Sequence, residues 1–228
     1  GAVDPLEAIA DRDAREGLWM HVDGAYGAAA AFAPRAAARL AGLGRADSIA
    51  VDPHKWLFTP YECALVLVRE GRTLTDAFAA PAAYLSDTVG EEPDFADQGV
   101  QLTRSFRALK VWMTFQVFGR DAIGEAIEAG VDKAEAVERR LAALPGWELA
   151  APASLGIVAF RYAPPELTDP DAFNFAMVPR LMATGEAMVS STVLRGRRFL
   201  RMCTINPRTT EDDLRRTVDA LDALARDG

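Results

Sequence analysis

Three short runs of almost wholly apolar residues constrain the fold of the first part of this chain. They lie at 18–22, 48–51 and 63–68. Gly and Asp bound the first of them, which is typical of a strand that is buried on both faces. Helical spacing of apolar residues occurs before and between the first two runs, at 6–10 and around 33–43. The sequence therefore predicts an α/β layered sheet, in which ligands bind at the carboxyl ends of the strands.

The remainder of the chain has a different pattern. Residues 78–100 show neither a helical nor a strand period, and a loop of this length inside a compact protein is usually functional or disordered. Amphipathic helices are predicted after it, at 104–118 and 121–144. Strands and helices then alternate, which predicts a small α+β domain that begins within 110–125. The predicted strands are 157–162, 187–194 and 198–204, and the predicted helices are 171–183 and 210–225.

Composition excludes several classes of protein. The chain has 33 acidic residues against 25 Lys and Arg, a net charge of −8, so nucleic acid and anionic membrane surfaces are unfavourable partners. No apolar run reaches the roughly 20 residues that a membrane span needs, and no signal peptide is recognised at the start. With only two cysteines, far apart, the protein is expected in a reducing cytoplasm. No metal site is predicted.

Amine or imidazole chemistry is limited to three lysines and two histidines, because the other 22 basic residues are arginines. Among them, Lys55 follows the second apolar run, in Asp52-Pro53-His54-Lys55-Trp56. At the rim of an apolar strand, loss of hydration would disfavour the charged form of this lysine and make its amine nucleophilic. The alternative is a strand-end lysine that simply extends into solvent.

Asp23 ends the first apolar run, in His21-Val22-Asp23-Gly24-Ala25-Tyr26-Gly27. If the two runs form neighbouring parallel strands, Asp23 and Lys55 face the same crevice. A pyridoxal-phosphate site needs this pair, since the lysine forms a Schiff base with the aldehyde and the aspartate keeps the pyridine nitrogen protonated. Small residues after Asp23 leave room for a flat ring. The alternative is that Asp23 only caps a turn that the glycines shape.

Together these segments resemble the group II pyridoxal-phosphate decarboxylases, which act on amino acids such as the aromatic ones, histidine, glutamate and cysteine sulfinate. The resemblance rests on 21–27 and 52–56, with 32 residues from Asp23 to Lys55. It implies the C-terminal part of a fold-type I, aspartate-aminotransferase-like cofactor domain, followed by a small α+β C-terminal domain. Further similar segments are 1–6, 106–112 and 206–210.

The resemblance also implies where the domains lie and what the enzyme does. Residues 1–115 would be the second half of the large cofactor domain, with a mobile catalytic loop at 78–100, and residues 116–228 would be the small domain. The implied reaction is decarboxylation of an L-amino acid, with an aromatic one preferred, to the amine and carbon dioxide. The implied cofactor is pyridoxal 5′-phosphate.

Residue roles follow from the same resemblance. Lys55 would form the Schiff base with the cofactor, and Asp23 would hold the pyridine nitrogen. Ala25 would pack on a face of the ring. His54 would lie beside the phosphate and the Schiff base, and Thr103 would lie near the cofactor or the subunit boundary.

Tyr84, in the loop at 78–100, is predicted to be the proton donor. In the family a mobile loop carries a tyrosine that protonates Cα after carbon dioxide leaves, and Tyr84 falls at the matching distance from Lys55. Members with Phe at this place tend towards oxidative deamination to an aldehyde, so Tyr84 favours plain decarboxylation. The alternative is an exposed loop residue without a catalytic role.

Several other residues carry weaker predictions. Arg104 either lies near the cofactor or caps its helix, and Arg201 is expected in an ion pair rather than in a clamp for the substrate carboxylate. Tyr26 weakly favours an aromatic substrate, and His21 is expected to be structural. Packing in the core is predicted for Trp112, Phe115, Cys63 and Cys203.

The family's length adds an expectation about partners. Complete members are about twice as long as this chain, so it is expected to act only with an N-terminal half, on a separate or cleaved chain, in a homodimer of complete units. The alternatives are an aldehyde synthase or another lyase on the same scaffold, and a non-catalytic partner subunit. Retention of Asp23, His54, Lys55 and Tyr84 argues against the last of these.

Overall fold

The structure, a computed structural model, describes residues 2–79 and 94–227. The helices are α1 (Leu6–Glu16), α2 (Pro34–Ala37), α3 (Arg72–Phe78), α4 (Ala108–Ala142), α5 (Pro170–Thr184) and α6 (Glu211–Arg226). The strands are β1 (His21–Asp23), β2 (Ser48–Val51), β3 (Leu65–Val68), β4 (Trp147–Leu149), β5 (Ile157–Tyr162), β6 (Ser190–Leu194) and β7 (Arg197–Cys203). Over these described ranges, no helix combines the length and the apolar character that a bilayer crossing requires.

The chain divides into two compact units. The β1–β3 unit comprises Asp4–Ala29 and Leu40–Gly119, and the β4–β7 unit comprises Gly1–Val3, Ala30–Arg39 and Arg120–Gly228. The division falls inside α4, after Gly119. This residue has φ 76° and ψ 164°, a conformation that is essentially restricted to glycine, so the helix is interrupted there. The domain bounds expected from the sequence, 1–115 and 116–228, stay a prediction.

The β1–β3 unit contains a three-stranded sheet in the order β1-β2-β3. β1 and β2 are parallel, which confirms the predicted α/β arrangement, and Asp23 lies beside Ala50 in their register. β3 runs antiparallel to β2, because the connection at 52–64 folds as turns and not as a crossover helix. β1 is also shorter than the run predicted at 18–22, since Leu18 and Trp19 are half exposed and precede the strand.

Helix α1 covers one part of this sheet. It ends at Gly17, whose φ of 65° lies in the left-handed region, and Leu18 N donates to Asp13 O at 2.9 Å beyond the last turn. Leu6 and Ala10, one helical turn apart, are the buried residues of α1. The small core that results consists of Leu6, Ala10, Met20 and Ala46, with Val22, Leu43 and Ile49 packed against it.

The β4–β7 unit contains an antiparallel sheet in the order β4-β5-β7-β6. Strand β5 has the bounds predicted from the sequence, and α5 and α6 begin and end within one residue of their predicted bounds. Strand β4 was not predicted, because three residues carry too little periodicity. Helices α5 and α6 and the second part of α4 form the core with this sheet, including Val137, Leu141, Val158, Phe160, Met177, Leu181, Leu200, Val218 and Leu221.

Three of the four predictions of burial are wrong, those for Trp112, Phe115 and Cys203. Trp112 is 60% exposed and Phe115 is half-buried, because within the described chain only Thr114 is buried on this part of α4. Helical spacing shows which side chains share a face but not whether anything covers that face. Cys203 is exposed at the end of β7, whereas Cys63 is buried as predicted.

Candidate functional site

The predicted site lies where β1 and β2 end. Because the two strands are parallel neighbours, their carboxyl ends meet at one edge of the sheet. Asp23 is the last residue of β1, and Asp52 is the first residue after β2. Asp52 N donates to Ala25 O at 3.0 Å, so the two loops that leave these strands are joined directly.

Lys55 closes a tight turn at this edge. Its backbone N donates to Asp52 O at 2.9 Å, and Pro53 occupies the second position of the turn, where its fixed φ is favourable. The Lys55 side chain returns to the same residue, with Nζ 2.7 Å from Asp52 Oδ2. It is 41% exposed, so it is hydrated and ion-paired and not desolvated as the sequence suggested. The amine is therefore held by a carboxylate and remains accessible to a ligand.

Asp23 is exposed, and part of its carboxylate serves the local turn. Its Oδ1 accepts a hydrogen bond from Ala25 N at 3.1 Å. Gly24 is buried, and a Cβ there would lie 2.6 Å from Ala28 Cβ and 3.0 Å from Ala50 O. The turn role foreseen as an alternative is thus real, but it uses one carboxylate oxygen and leaves Oδ2 for a ligand.

The His54 imidazole is oriented by the backbone of Cys63. Its Nδ1 lies 2.6 Å from Cys63 O and 3.1 Å from Cys63 N. The ring also meets Tyr61 edge to face, with a centroid distance of 5.0 Å and an interplanar angle of 76°. Since Nδ1 faces Cys63, Nε2 is the nitrogen that His54 can offer to a ligand.

An aromatic pair packs beside the lysine. Trp56 is fully buried and stacks on Tyr26, with ring centroids 5.0 Å apart and an interplanar angle of 11°. Because Tyr26 follows β1 and Trp56 follows β2, this stack is a second link between the two strand ends. The sequence analysis connected Tyr26 only with an aromatic substrate and did not predict this packing role.

Arg107 and Lys110 support the segment that carries Cys63. The sequence analysis assigned neither of them a role, although both lie in the similar segment 106–112. Arg107 Nη2 and Nε donate to Glu62 Oε1 at 2.6 and 2.9 Å. Lys110 Nζ donates to the carbonyl oxygens of Tyr61 and Glu62 at 3.3 and 3.0 Å. The hydrogen bonds from Arg107 lower the pKa of Glu62. No signal in a single sequence links positions about 45 residues apart, so these contacts required the structure.

Other predicted residues are not brought to this edge by any contact in the described chain. Tyr84 lies outside the described residues. Thr103 is exposed on the segment before α4. Arg104 donates to Phe95 O at 2.8 Å and lies over the Phe95 ring, so it does not cap α4 as the alternative suggested. Arg201 belongs to β7 in the other unit and makes no ion pair within residues 2–79 and 94–227.

The residues that are brought together fit pyridoxal phosphate. Lys55 could offer an accessible primary amine to the aldehyde, and Asp23 could offer a carboxylate to a protonated ring nitrogen. His54 could offer a hydrogen-bonding nitrogen, Nε2, because its Nδ1 already contacts Cys63. Among the described residues, no three His, Cys, Asp or Glu side chains are arranged to hold a metal ion.

Comparison with known protein families gives one match. Residues 1–163 match the model described as the pyridoxal-dependent decarboxylase conserved domain. The matched part includes Asp23, His54 and Lys55.

Comparison with individual proteins gives consistent results. The chain is 42% identical to an aromatic-L-amino-acid decarboxylase of Bacillus atrophaeus over 100% of its own length and 48% of the relative. It is 37% identical to an L-2,4-diaminobutyrate decarboxylase of Rhizobium meliloti, covering 100% of the chain and 46% of the relative. The crystal structure of Oryza sativa TDC with PLP and tryptamine superimposes with a TM-score of 0.90 at 33% identity, covering 99% of this chain and 48% of that one. The chain therefore spans about half the length of these relatives.

Proposed function

Because the chain belongs to the pyridoxal-dependent decarboxylase family, we propose that it carries the lysine and the aspartate of an amino-acid decarboxylase. Its fold is the C-terminal part of a fold-type I pyridoxal-phosphate enzyme. The reaction proposed is removal of the carboxyl group of an L-amino acid as carbon dioxide, with release of the amine. An aromatic substrate is preferred, since the B. atrophaeus relative acts on aromatic amino acids by its name.

One observation carries the proposal. Lys55 and Asp23 leave the carboxyl ends of two adjacent parallel strands, and the Asp52–Ala25 hydrogen bond of 3.0 Å joins their loops. A single flat ligand at this edge can meet an amine on one side and an acid on the other. Neither residue alone would indicate a cofactor, because strand-end lysines and turn aspartates are common.

The residues of the site have separate tasks in this reaction. Pyridoxal phosphate, when bound, supplies an electron-withdrawing ring for the substrate Cα. Lys55 Nζ, which is paired with Asp52 in this structure, would hold the cofactor through its aldehyde carbon. Asp23 holds a proton at the ring nitrogen through Oδ2, while Oδ1 keeps its bond to Ala25 N. His54 offers Nε2 beside Lys55.

The finer assignments belong to the same proposal. Ala25 packs on the ring, Thr103 lies near the cofactor, and Tyr84 is the proton donor. Residues 1–115 and 116–228 are proposed as parts of the large and small domains. Since the relatives are about twice as long, activity is proposed to need the counterpart of their other half, in a cytoplasmic homodimer of complete units.

Borohydride trapping tests the proposal. The chain, combined with the counterpart of the relatives' other half that activity is proposed to need, is incubated with pyridoxal phosphate, reduced, digested and examined by mass spectrometry. We expect a pyridoxyl group on the peptide that contains Lys55, because reduction fixes the cofactor to the amine that holds it. Lys55→Ala should abolish the adduct, whereas the control Lys133→Arg, in the other unit, should keep it.

The outcome separates the candidate functions. An adduct on another lysine, or none, would refute the assignment of Lys55 and favour a non-catalytic subunit. With the adduct at Lys55, product analysis on a panel of aromatic L-amino acids should show the amine and carbon dioxide in equal amounts. Aldehyde and ammonia in place of the amine would identify an aldehyde synthase.

A further inference from the structure

We infer that Arg107 and Lys110 are positioning residues for His54. They hold the backbone at 61–63, and that backbone fixes the imidazole as the tautomer protonated at Nδ1, with Nε2 left as an acceptor. The inference rests on the proposed function for the use made of His54, but its structural part is independent of any cofactor.

The contact between His54 and Cys63 decides the tautomer. Nδ1 is 2.6 Å from Cys63 O, and a carbonyl oxygen can only accept a hydrogen bond, so the proton belongs on Nδ1. The opposite tautomer would accept a hydrogen bond from Cys63 N at 3.1 Å, which the Nδ1–H tautomer gives up, but it would place two lone pairs 2.6 Å apart at the shorter contact. A neutral imidazole carries a single ring proton, so Nε2 is then unprotonated.

Cys63 is itself held in place by the segment that begins α4. Its side chain is 2% exposed, and its Sγ lies 3.7 Å from Arg107 O. Burial raises the pKa of the Cys63 thiol, so the group keeps its proton and can donate to that carbonyl. Cys63 thus contacts His54 through its backbone and Arg107 through its side chain.

Two cations complete the arrangement. Lys110 Nζ donates to two successive carbonyl oxygens, those of Tyr61 and Glu62, at 3.3 and 3.0 Å. Arg107 grips the Glu62 carboxylate with two nitrogens, at 2.6 and 2.9 Å, and its side chain is only 27% exposed. A continuous chain of contacts therefore runs from Lys110 and Arg107 through the backbone at 61–63 to His54.

The alternative is that these contacts only stabilise a surface turn. Loss of either cation would then lower stability without changing the protonation of His54. The two explanations differ in a property that is measurable at one nitrogen atom, the tautomer of a single histidine.

Nitrogen-15 NMR of the full-length protein, labelled in histidine and free of cofactor, is the test. The His54 signal is assigned by its disappearance in His54→Gln. We expect the Nδ1–H tautomer in the wild type and a mixture of tautomers in Lys110→Met and in Arg107→Met. Lys110→Arg should restore the wild-type spectrum, because an arginine can also donate to both carbonyls. Lys133→Met is the matched control and should not change it.

Activity provides the second measurement. We expect kcat to fall about 3- to 10-fold in Lys110→Met, the size expected for loss of an indirect hydrogen bond, with KM nearly unchanged. An Nε2–H tautomer in the wild type, or an unchanged His54 signal in both methionine variants, would overturn the inference. Failure of borohydride trapping at Lys55 would refute the proposed function and leave this NMR result standing.

Discussion

The two oxygens of the Asp23 carboxylate have separate roles. Oδ1 accepts from Ala25 N and shapes the turn, whereas the proposed role at the cofactor needs negative charge at Oδ2. An asparagine can meet the first demand, because its amide oxygen also accepts a hydrogen bond, but it cannot meet the second. The two roles can therefore be separated by one substitution.

We expect Asp23→Asn to lower kcat about 10²- to 10³-fold, comparable to the loss of one charge-stabilising group in other active sites. The melting temperature should stay at the wild-type value, because the bond to Ala25 N is retained. Enzyme kinetics and thermal unfolding of the same preparation check both halves of the prediction. A variant with wild-type kcat would show that Asp23 serves only the turn.

Gly24 is required by packing at the same strand end. An alanine Cβ would lie 2.6 Å from Ala28 Cβ and 3.0 Å from Ala50 O, and the backbone oxygen cannot move aside without disturbing β2. We expect Gly24→Ala to lower the free energy of unfolding by about 1–3 kcal/mol, the usual cost of overpacking. Denaturant titration measures this value.

Gly71→Ala is the matched control for that measurement. Gly71 lies in the same unit with φ −54°, and a Cβ there meets nothing within 4 Å. Its substitution should be neutral or slightly stabilising, because alanine restricts the unfolded chain. Equal effects of the two substitutions would contradict the packing argument.

At the scale of elements, α6 begins with a reciprocal cap. Thr210 N and Thr210 Oγ1 donate to Asp213 Oδ2 at 2.9 and 2.7 Å, and Asp213 N donates to Thr210 Oγ1 at 3.1 Å. The backbone bond from Thr210, followed by the hydroxyl, lowers the pKa of Asp213. The sequence shows the pattern directly, since Thr210 and Asp213 have capping-box spacing.

This cap gives stability a pH dependence with a definite sign. A carboxylate whose pKa is lower in the folded state contributes stability above its unfolded pKa, near 4, and loses it as the pH falls through the folded value. We therefore expect wild type to exceed Asp213→Asn in melting temperature at neutral pH and the difference to shrink towards pH 3. A difference that is constant from pH 7 to pH 3 would contradict the assignment.

The elements also show where local sequence patterns are sufficient. Strand β5 has its predicted bounds, and helices α5 and α6 lie within one residue of theirs because each has a clear start signal, Asp169 with Pro170 for α5 and Thr210 for α6. The direction of β3 was not predictable in this way. Direction depends on the path of the connection at 52–64, and a short apolar run has the same pattern in either orientation.

For the whole molecule, the part of the site that could be predicted is the part that strand order determines. Asp23 and Lys55 lie at one edge because parallel neighbours place their carboxyl ends together. The Lys55–Asp52 ion pair, the orientation of His54 by Cys63 and the support from Arg107 and Lys110 were not predicted. These contacts depend on side-chain geometry, and those with Arg107 and Lys110 also join residues far apart in the sequence.

The burial of large apolar side chains was also predicted wrongly from the sequence. Four large apolar side chains of the β1–β3 unit are each at least 60% exposed, although residues of these types usually lie in a core. They are Phe106, Trp112, Val117 and Phe118. Periodicity identifies an apolar face without identifying what covers it.

The Trp56 indole, which stacks on Tyr26, is an intrinsic fluorescence probe of the candidate site. Trp56 is fully buried beside Lys55, whereas Trp19 and Trp112 are at least half exposed. Iodide in solution reaches exposed indoles and suppresses their emission, which leaves the buried Trp56 and Trp147 as the main sources of emission. A chromophore bound to Lys55 would quench the emission of the neighbouring Trp56 by energy transfer. A decrease in the iodide-resistant fluorescence would therefore report cofactor binding without any label.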